Sequence, residues 1–513
     1  MLKSRRSLSL LPLVVMAAAF GPASVAGAQA AQISWTACPL EGYPTLQCGT
    51  FEVPYDYGKP TGKKFTLALQ KLPASGAKIG TLFTNPGGPG APGLNTWIFA
   101  SNSQSLRESF DLVGFDPRGI GETRPAFDCE PAPGGAPRTA TPTAGNWVTH
   151  SRALTPGIAR ANRACQRKSA DFIAHVGTNN VVRDLDAMRA AVGDAKLTFW
   201  GMSYGTRIGF TYAYRYPQRV RAIILDGPVT PNGSWANFAD VRSGSNDDAL
   251  RFIRSVSPAT YAAVIATRNS LFASRLDIGT AGNPTRLGGY DWVGIITNKL
   301  LAQSNWPAVT ELAKQVATAR IVGTGGDQAR AALRTALAIA EADDPDGTAA
   351  DGGANEAINC ADYADRPSVR QRSRIVRNVV SRAPVFGGML VSQMAPGCTG
   401  FTFRPDPVPR IASRASLARV RNLKLAITDS TADAATPLVW GRAMVRAFPS
   451  AFEVTQETGN HVNFLSTDSD CVDDPLREYL LTLKMAPRRT TCLFTAPAGL
   501  DMSAVAAGKR KLN

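Results

Sequence analysis

The chain has 513 residues, 44% of them hydrophobic and 19% charged, with a formal net charge of +16. That composition excludes a disordered or fibrous protein and leaves room for two or three domains, or for one large domain carrying an insertion. The basic clusters (Arg370, Arg372, Arg374 and Arg377, and the tail Lys509-Arg510-Lys511) lack interleaved aromatics. No nucleic acid is therefore expected as a partner, and a solvated basic surface is read instead.

At the N-terminus, Lys3, Arg5 and Arg6 precede an apolar run at 8–20 and small residues ending in Ala28-Gln29-Ala30. This is the pattern of a secretory signal over residues 1–30, with an A-x-A cleavage site, so the protein is expected to be exported to the periplasm or beyond the cell. No later stretch approaches 18 uninterrupted apolar residues, so no integral membrane segment is expected after signal removal. Eight cysteines in an exported chain argue for disulfides. They fall in sequential couples: Cys38 and Cys48, Cys129 and Cys165, Cys360 and Cys398, Cys471 and Cys492. Neighbour pairing is one of 105 connectivities. None of the couples has C-x-x-C spacing, so no metal site is expected.

Residues 51–56 and 65–72 read as edge strands, and 81–84 as a buried strand that runs into Asn85-Pro86-Gly87-Gly88-Pro89-Gly90. A further strand at 111–115 ends in Asp116-Pro117-Arg118-Gly119, and the Pro/Gly/Thr-rich 130–145 is an exposed loop. An amphipathic helix at 180–192 leads into an apolar strand at 197–200. Gly201-Met202-Ser203-Tyr204-Gly205 follows, then a helix at 206–216 stopped by Pro217, then a strand at 222–225. Strands alternating with helices imply a mostly parallel sheet with right-handed crossovers. From 234 to 382 helical periodicity dominates, as at 328–342, with loops at 343–347 and 351–353. Strands return at 423–428 and 452–455, with helices at 437–448 and 475–483. The expected fold class is α/β. A core at 31–233 and 400–513 carries a helical cap inserted at 234–399.

Strand, G-x-S-x-G, helix is the setting in which that pentapeptide holds its serine in a strained turn with the side chain presented outward. Ser203 is thus the candidate nucleophile. A serine needs a base and the base an orienting carboxylate, and in this setting they follow in the order Ser, acid, His. Of three histidines, His150 and His175 precede Ser203, so His461 alone satisfies the order. The loop after 423–428 offers two acids, Asp429 and Asp433. The loop at Gly87-Gly88-Pro89-Gly90 can bring a backbone N–H beside Ser203, which with the N–H of Tyr204 would bind an oxyanion.

Asn85-Pro86-Gly87-Gly88-Pro89-Gly90, Asp116-Pro117-Arg118-Gly119, Gly201-Met202-Ser203-Tyr204-Gly205-Thr206 and Asp433-Ala434-Ala435-Thr436-Pro437 together resemble the exported α/β-hydrolases of the tripeptidyl aminopeptidase group, relatives of prolyl iminopeptidases. The likeness includes the Cys-bearing stretches at 35–48, 357–362 and 471–492. It implies an α/β-hydrolase fold, Ser203, Asp433 and His461 as a triad, and Gly88 and Tyr204 at the oxyanion hole. It also implies cleavage of short peptides near a free N-terminus, with an acid in the cap to meet the ammonium; Glu356 and Asp362 are the candidates. No cofactor is implied, and a monomer is expected. The chain departs from the family pattern in three places. Asn460 stands between Gly459 and His461, Glu122 where a serine is usual, and Ser430 where glycine is frequent. An esterase or lipase on the same triad, and a non-catalytic peptide-binding protein, are the rival readings.

Overall fold

The computed structural model describes residues 32–129, 146–279, 285–321, 324–342, 352–496 and 498–499. The signal segment 1–30, the loop 130–145, the loop 343–347 and the basic tail lie outside them.

Ten strands form one sheet: β1 (Ser34–Ala37), β2 (Gln47–Pro54), β3 (Lys64–Leu72), β4 (Gly80–Asn85), β5 (Phe110–Phe115), β6 (Leu197–Met202), β7 (Val220–Asp226), β8 (Ala426–Ser430), β9 (Phe452–Gln456) and β10 (Arg489–Cys492). Their order is β1-β2-β3-β5-β4-β6-β7-β8-β9-β10. The joins from β1 to β3 and from β3 to β5 are antiparallel, and every join from β5 onward is parallel. This is the α/β-hydrolase architecture. Every residue of β4 and β6 is buried, as continuous apolar runs at the centre of a parallel sheet require. Successive side chains feed opposite faces. Phe83, Val113, Phe199 and Ile223 join one core with Ile208 and Leu185; Leu82, Leu112, Trp200 and Ile224 join the other with Trp97 and Leu476.

Between β7 and β8 the chain is mostly helical, including Trp235–Val256, Trp306–Ala319, Gly352–Asp362 and Val369–Arg382, with its own core of Leu250, Trp292, Trp306, Val309 and Val379. Trp147, from the earlier helix Trp147–Lys168, joins that core, so the cap layer also draws on residues upstream of Ser203. Sulfur–sulfur bonds join Cys38 to Cys48, Cys129 to Cys165, Cys360 to Cys398 and Cys471 to Cys492. Among the described residues, no helix is long and apolar enough to cross a membrane.

Several boundaries differ from the sequence reading. The returning strand is Ala426–Ser430, not 423–428: β7 pairs with it as far as Thr428, and parallel pairing with β9 carries the polar Asp429 and Ser430 into the sheet. The 65–72 segment is interior rather than an edge, since β3 pairs with both β2 and β5, whereas at 51–54 β2 pairs with β3 alone. Gly352 and Gly353 open the helix Gly352–Asp362 instead of breaking helical structure. Burial of Ala354, Ala357 and Ile358 outweighs glycine's weak propensity there. The last helix begins at Asp470 and holds Pro475 inside, carried by its buried stripe Val472, Leu476, Tyr479 and Leu480. A short antiparallel pair, Leu276–Asp277 with Arg286–Leu287, interrupts the cap where only helices were expected.

Candidate active site

The turn between β6 and the helix Gly205–Arg215 holds Ser203 at φ 53, in the left-handed region that a side chain enters only under constraint. The constraints are visible. The Ser203 N–H donates to Asp226 O at 2.8 Å, and its carbonyl accepts from the N–H and the hydroxyl of Thr206. A methyl on Gly201 would lie 2.3 Å from Gly205 O, and one on Gly205 would lie 2.6 Å from Asn85 O. Strand, turn and helix therefore approach too closely for any residue but glycine at both places.

Beside this turn runs the loop after β4. A methyl on Gly87 would sit 2.8 Å from Ser203 Cβ and 2.9 Å from Tyr204 N. The Gly87 N–H is occupied by Asn85 Oδ1 at 3.2 Å. Among the described residues, the N–H groups of Gly88 and Tyr204 donate no hydrogen bond. The loop is braced from both sides: Asn355 of the cap donates to Pro89 O at 2.8 Å, and Asp116 accepts from Gly93 N at 2.7 Å.

Asp433 is buried in the turn after β8. It accepts from Ala435 N at 2.6 Å, Thr436 N at 2.8 Å and Thr436 Oγ1 at 2.7 Å. His461 Nδ1 lies 2.9 Å from its Oδ2. Asp429 occupies a different environment. It lies inside β8, fully buried, and burial followed by the nearby Glu453 carboxylate holds its carboxyl well above the usual range. Asp433, not Asp429, meets the imidazole.

His461 lies on the loop after β9, with its side chain 15% exposed. A methyl on Gly227 would be 2.5 Å from His461 O and 3.5 Å from ring Cε1. Gly227 directly follows the residue whose carbonyl holds the Ser203 N–H, so one backbone segment carries both the serine turn and the imidazole. Among the described residues the Ser203 hydroxyl makes no hydrogen bond; contacts of this kind tighten when substrate binds. The other histidines are elsewhere. His150 packs between Trp147 and Tyr290, and His175 caps a short turn near Arg118.

Of the two acids predicted to meet a substrate amine, Asp362 is committed within the protein. It accepts from Thr178 N at 2.7 Å and Thr178 Oγ1 at 2.6 Å, and pairs with Arg207 at 2.9 Å. Thr178 in turn accepts from the Tyr204 hydroxyl at 2.7 Å, so Asp362 steadies the residue after Ser203. Glu356 is half-buried, its Oε2 enclosed without a hydrogen-bond partner, and burial pushes its carboxyl up to about 7. Its neighbour Asn355 touches the loop at Pro89.

Sequence reading missed Asp226. Its carboxylate accepts from Asn463 N at 3.0 Å and Phe464 N at 3.1 Å, anchoring the segment just past His461. Burial raises it to about 7. A lone aspartate ending a buried strand was the available signal. Ser430 also acquires a use: its hydroxyl donates to Asn463 Oδ1 at 3.0 Å. A cavity of about 390 Å³ lies between the cap helix Trp235–Val256 and the acid turn, lined by Phe252, Thr431, Asp433 and Leu438 among others. No group of three or more potential metal ligands occurs among the described residues.

Residues 80–328 match the family model described as the alpha/beta hydrolase fold, and 383–492 match that described as TAP-like protein. The chain is 31% identical over 497 residues to the serine protease Hip1 of Mycobacterium tuberculosis, covering 90% of this chain and 91% of that one. It is 35% identical over 221 residues to a tripeptidyl aminopeptidase of Streptomyces lividans, covering 41% of each. It is also 29% identical over 507 residues to a carboxylesterase B of Mycobacterium tuberculosis, covering 90% of each.

Proposed function

The chain belongs to the TAP-like α/β-hydrolases and is a serine hydrolase, and we propose that it is an exported aminopeptidase releasing short fragments from peptides with a free N-terminus. The observation that carries the reading is the 2.9 Å contact between His461 Nδ1 and Asp433. It commits Nδ1 as donor and leaves Nε2 as the basic nitrogen of the ring. Ser203 Oγ attacks the scissile carbonyl while Nε2 takes its proton. The developing oxyanion draws on the uncommitted N–H groups of Gly88 and Tyr204. His461 then protonates the leaving amine, and water hydrolyses the acyl-enzyme with the same base. Glu356 meets the substrate ammonium: its Oε2 is buried without a partner, and its neighbour Asn355 touches the oxyanion loop at Pro89. The four disulfides support export.

Turnover of peptide-aminomethylcoumarins with free and N-acetylated termini tests this. Acetylation is expected to cut kcat/KM by roughly 100-fold, as loss of a buried charge pair does. Equal turnover of the acetylated peptides would defeat the aminopeptidase reading. The carboxylesterase relative favours a second reading, an ester hydrolase on the same residues. Faster turnover of p-nitrophenyl esters than of any free peptide would select it.

A further inference from the structure

The imidazole loop is held from two sides, and one of them is the cap. Asp226, Ser430 and Asp433 hold it from the sheet. From the cap, Leu301 O accepts the His461 N–H at 2.8 Å, and the Gln303 N–H donates to Asn460 Oδ1 at 2.6 Å. Gln303 Oε1 accepts from the Thr458 hydroxyl at 2.6 Å. Gly459 lies flat on buried Trp306, where a methyl would come within 2.3 Å of the ring. Residues 458–461 thus each meet the segment 301–306. Asn460 is the inserted residue noted in the sequence, and its carboxamide is what grips the cap backbone.

We propose that Asn460 is a positioning residue, and that its grip on Gln303 makes the seated cap part of the apparatus that sets His461 against Ser203. The physical argument is one of reach. A loop free on its cap side could swing about its anchors at Asp433 and Asp226, and a misplacement of about 1 Å can cost on the order of 100-fold in rate. The inference rests on the Ser203–His461 reading given above.

The test measures the labelling rate of Ser203 by a fluorophosphonate probe and kcat and KM for a p-nitrophenyl ester, neither of which depends on peptide specificity. Asn460→Ala, which removes the acceptor, is expected to slow labelling and kcat about tenfold or more with KM within about twofold. Asn460→Asp retains an acceptor oxygen for the Gln303 N–H and is expected to recover to within about threefold of wild type. Wild-type labelling by Asn460→Ala would overturn the grip while leaving the triad standing. Equal losses in both variants, with melting temperatures falling in parallel, would mark Asn460 as merely structural. A wild-type chain that takes no label would sink the triad and the positioning role together.

Discussion

The serine turn and the histidine loop face each other across Gly227 but are built in opposite ways. The contacts that set the Ser203 backbone come from its own strand–turn–helix–strand unit, Gly201 against Gly205, Thr206 on the Ser203 carbonyl and Asp226 on its N–H, with the loop at Asn85 and Gly87 packed against them. The histidine loop is held by Asp226, Ser430, Asp433, Leu301 and Gln303, drawn from β7, β8, its following turn and the cap. A nucleophile needs a strained backbone, which a short peptide with two glycines can encode. A base needs a reach, and reach is set wherever separate surfaces happen to pin the same loop.

The contrast can be broken most severely at its centre. Ser203→Ala should lower kcat on the order of 10⁶-fold, with folding intact by circular dichroism. Asp433→Asn should lose about 10⁴-fold by leaving the imidazole in the wrong tautomer. Asp429→Asn should stay near wild type, because that carboxyl faces Glu453 and not the imidazole. The reverse ranking of the two aspartates in a kinetic assay would refute the acid assignment.

Local encoding of the serine turn is sharpened by Gly201→Ala, whose methyl meets the Gly205 carbonyl at 2.3 Å. Urea unfolding should show a loss of about 3 kcal/mol, the upper range for overpacking.

The smallest effect concerns Glu356. Burial pushes its carboxyl up to about 7 from the ordinary glutamate value of 4.5, so the native state binds its proton more tightly than the unfolded chain. Its contribution to stability is full below the lower value and is lost as pH rises through the upper one. Glu356→Gln should therefore gain melting temperature relative to wild type on going from pH 5 to pH 8. It should also raise KM for free-amine peptides about tenfold, without affecting N-acetylated ones. A pH-independent difference in melting temperature would show that the carboxyl is not desolvated.

Much of the arrangement was legible from residues alone. Apolar runs at 81–84, 111–115, 197–200 and 222–225 became central strands, because a strand buried on both faces must read as a continuous apolar stretch. Boundaries set by partners were not legible. Asp429 looked like a loop residue because aspartate disfavours strands, yet parallel pairing with Thr455 of β9 drew it into the sheet. Asp362 and Glu356 looked alike in sequence. Thr178 and Arg207 meet the first and leave the second with an unpaired oxygen, a difference that arises only when distant helices pack.

Composition, glycine spacing and strand–helix alternation were enough to specify the sheet and the serine on its rim, because those depend on backbone sterics and local burial. Which carboxylate faces the imidazole, which acid keeps a free oxygen and what holds His461 all turn on pairings between residues far apart in the chain. No local pattern carries that information, since hydrogen-bond partners are assigned only when the cap and the sheet come together.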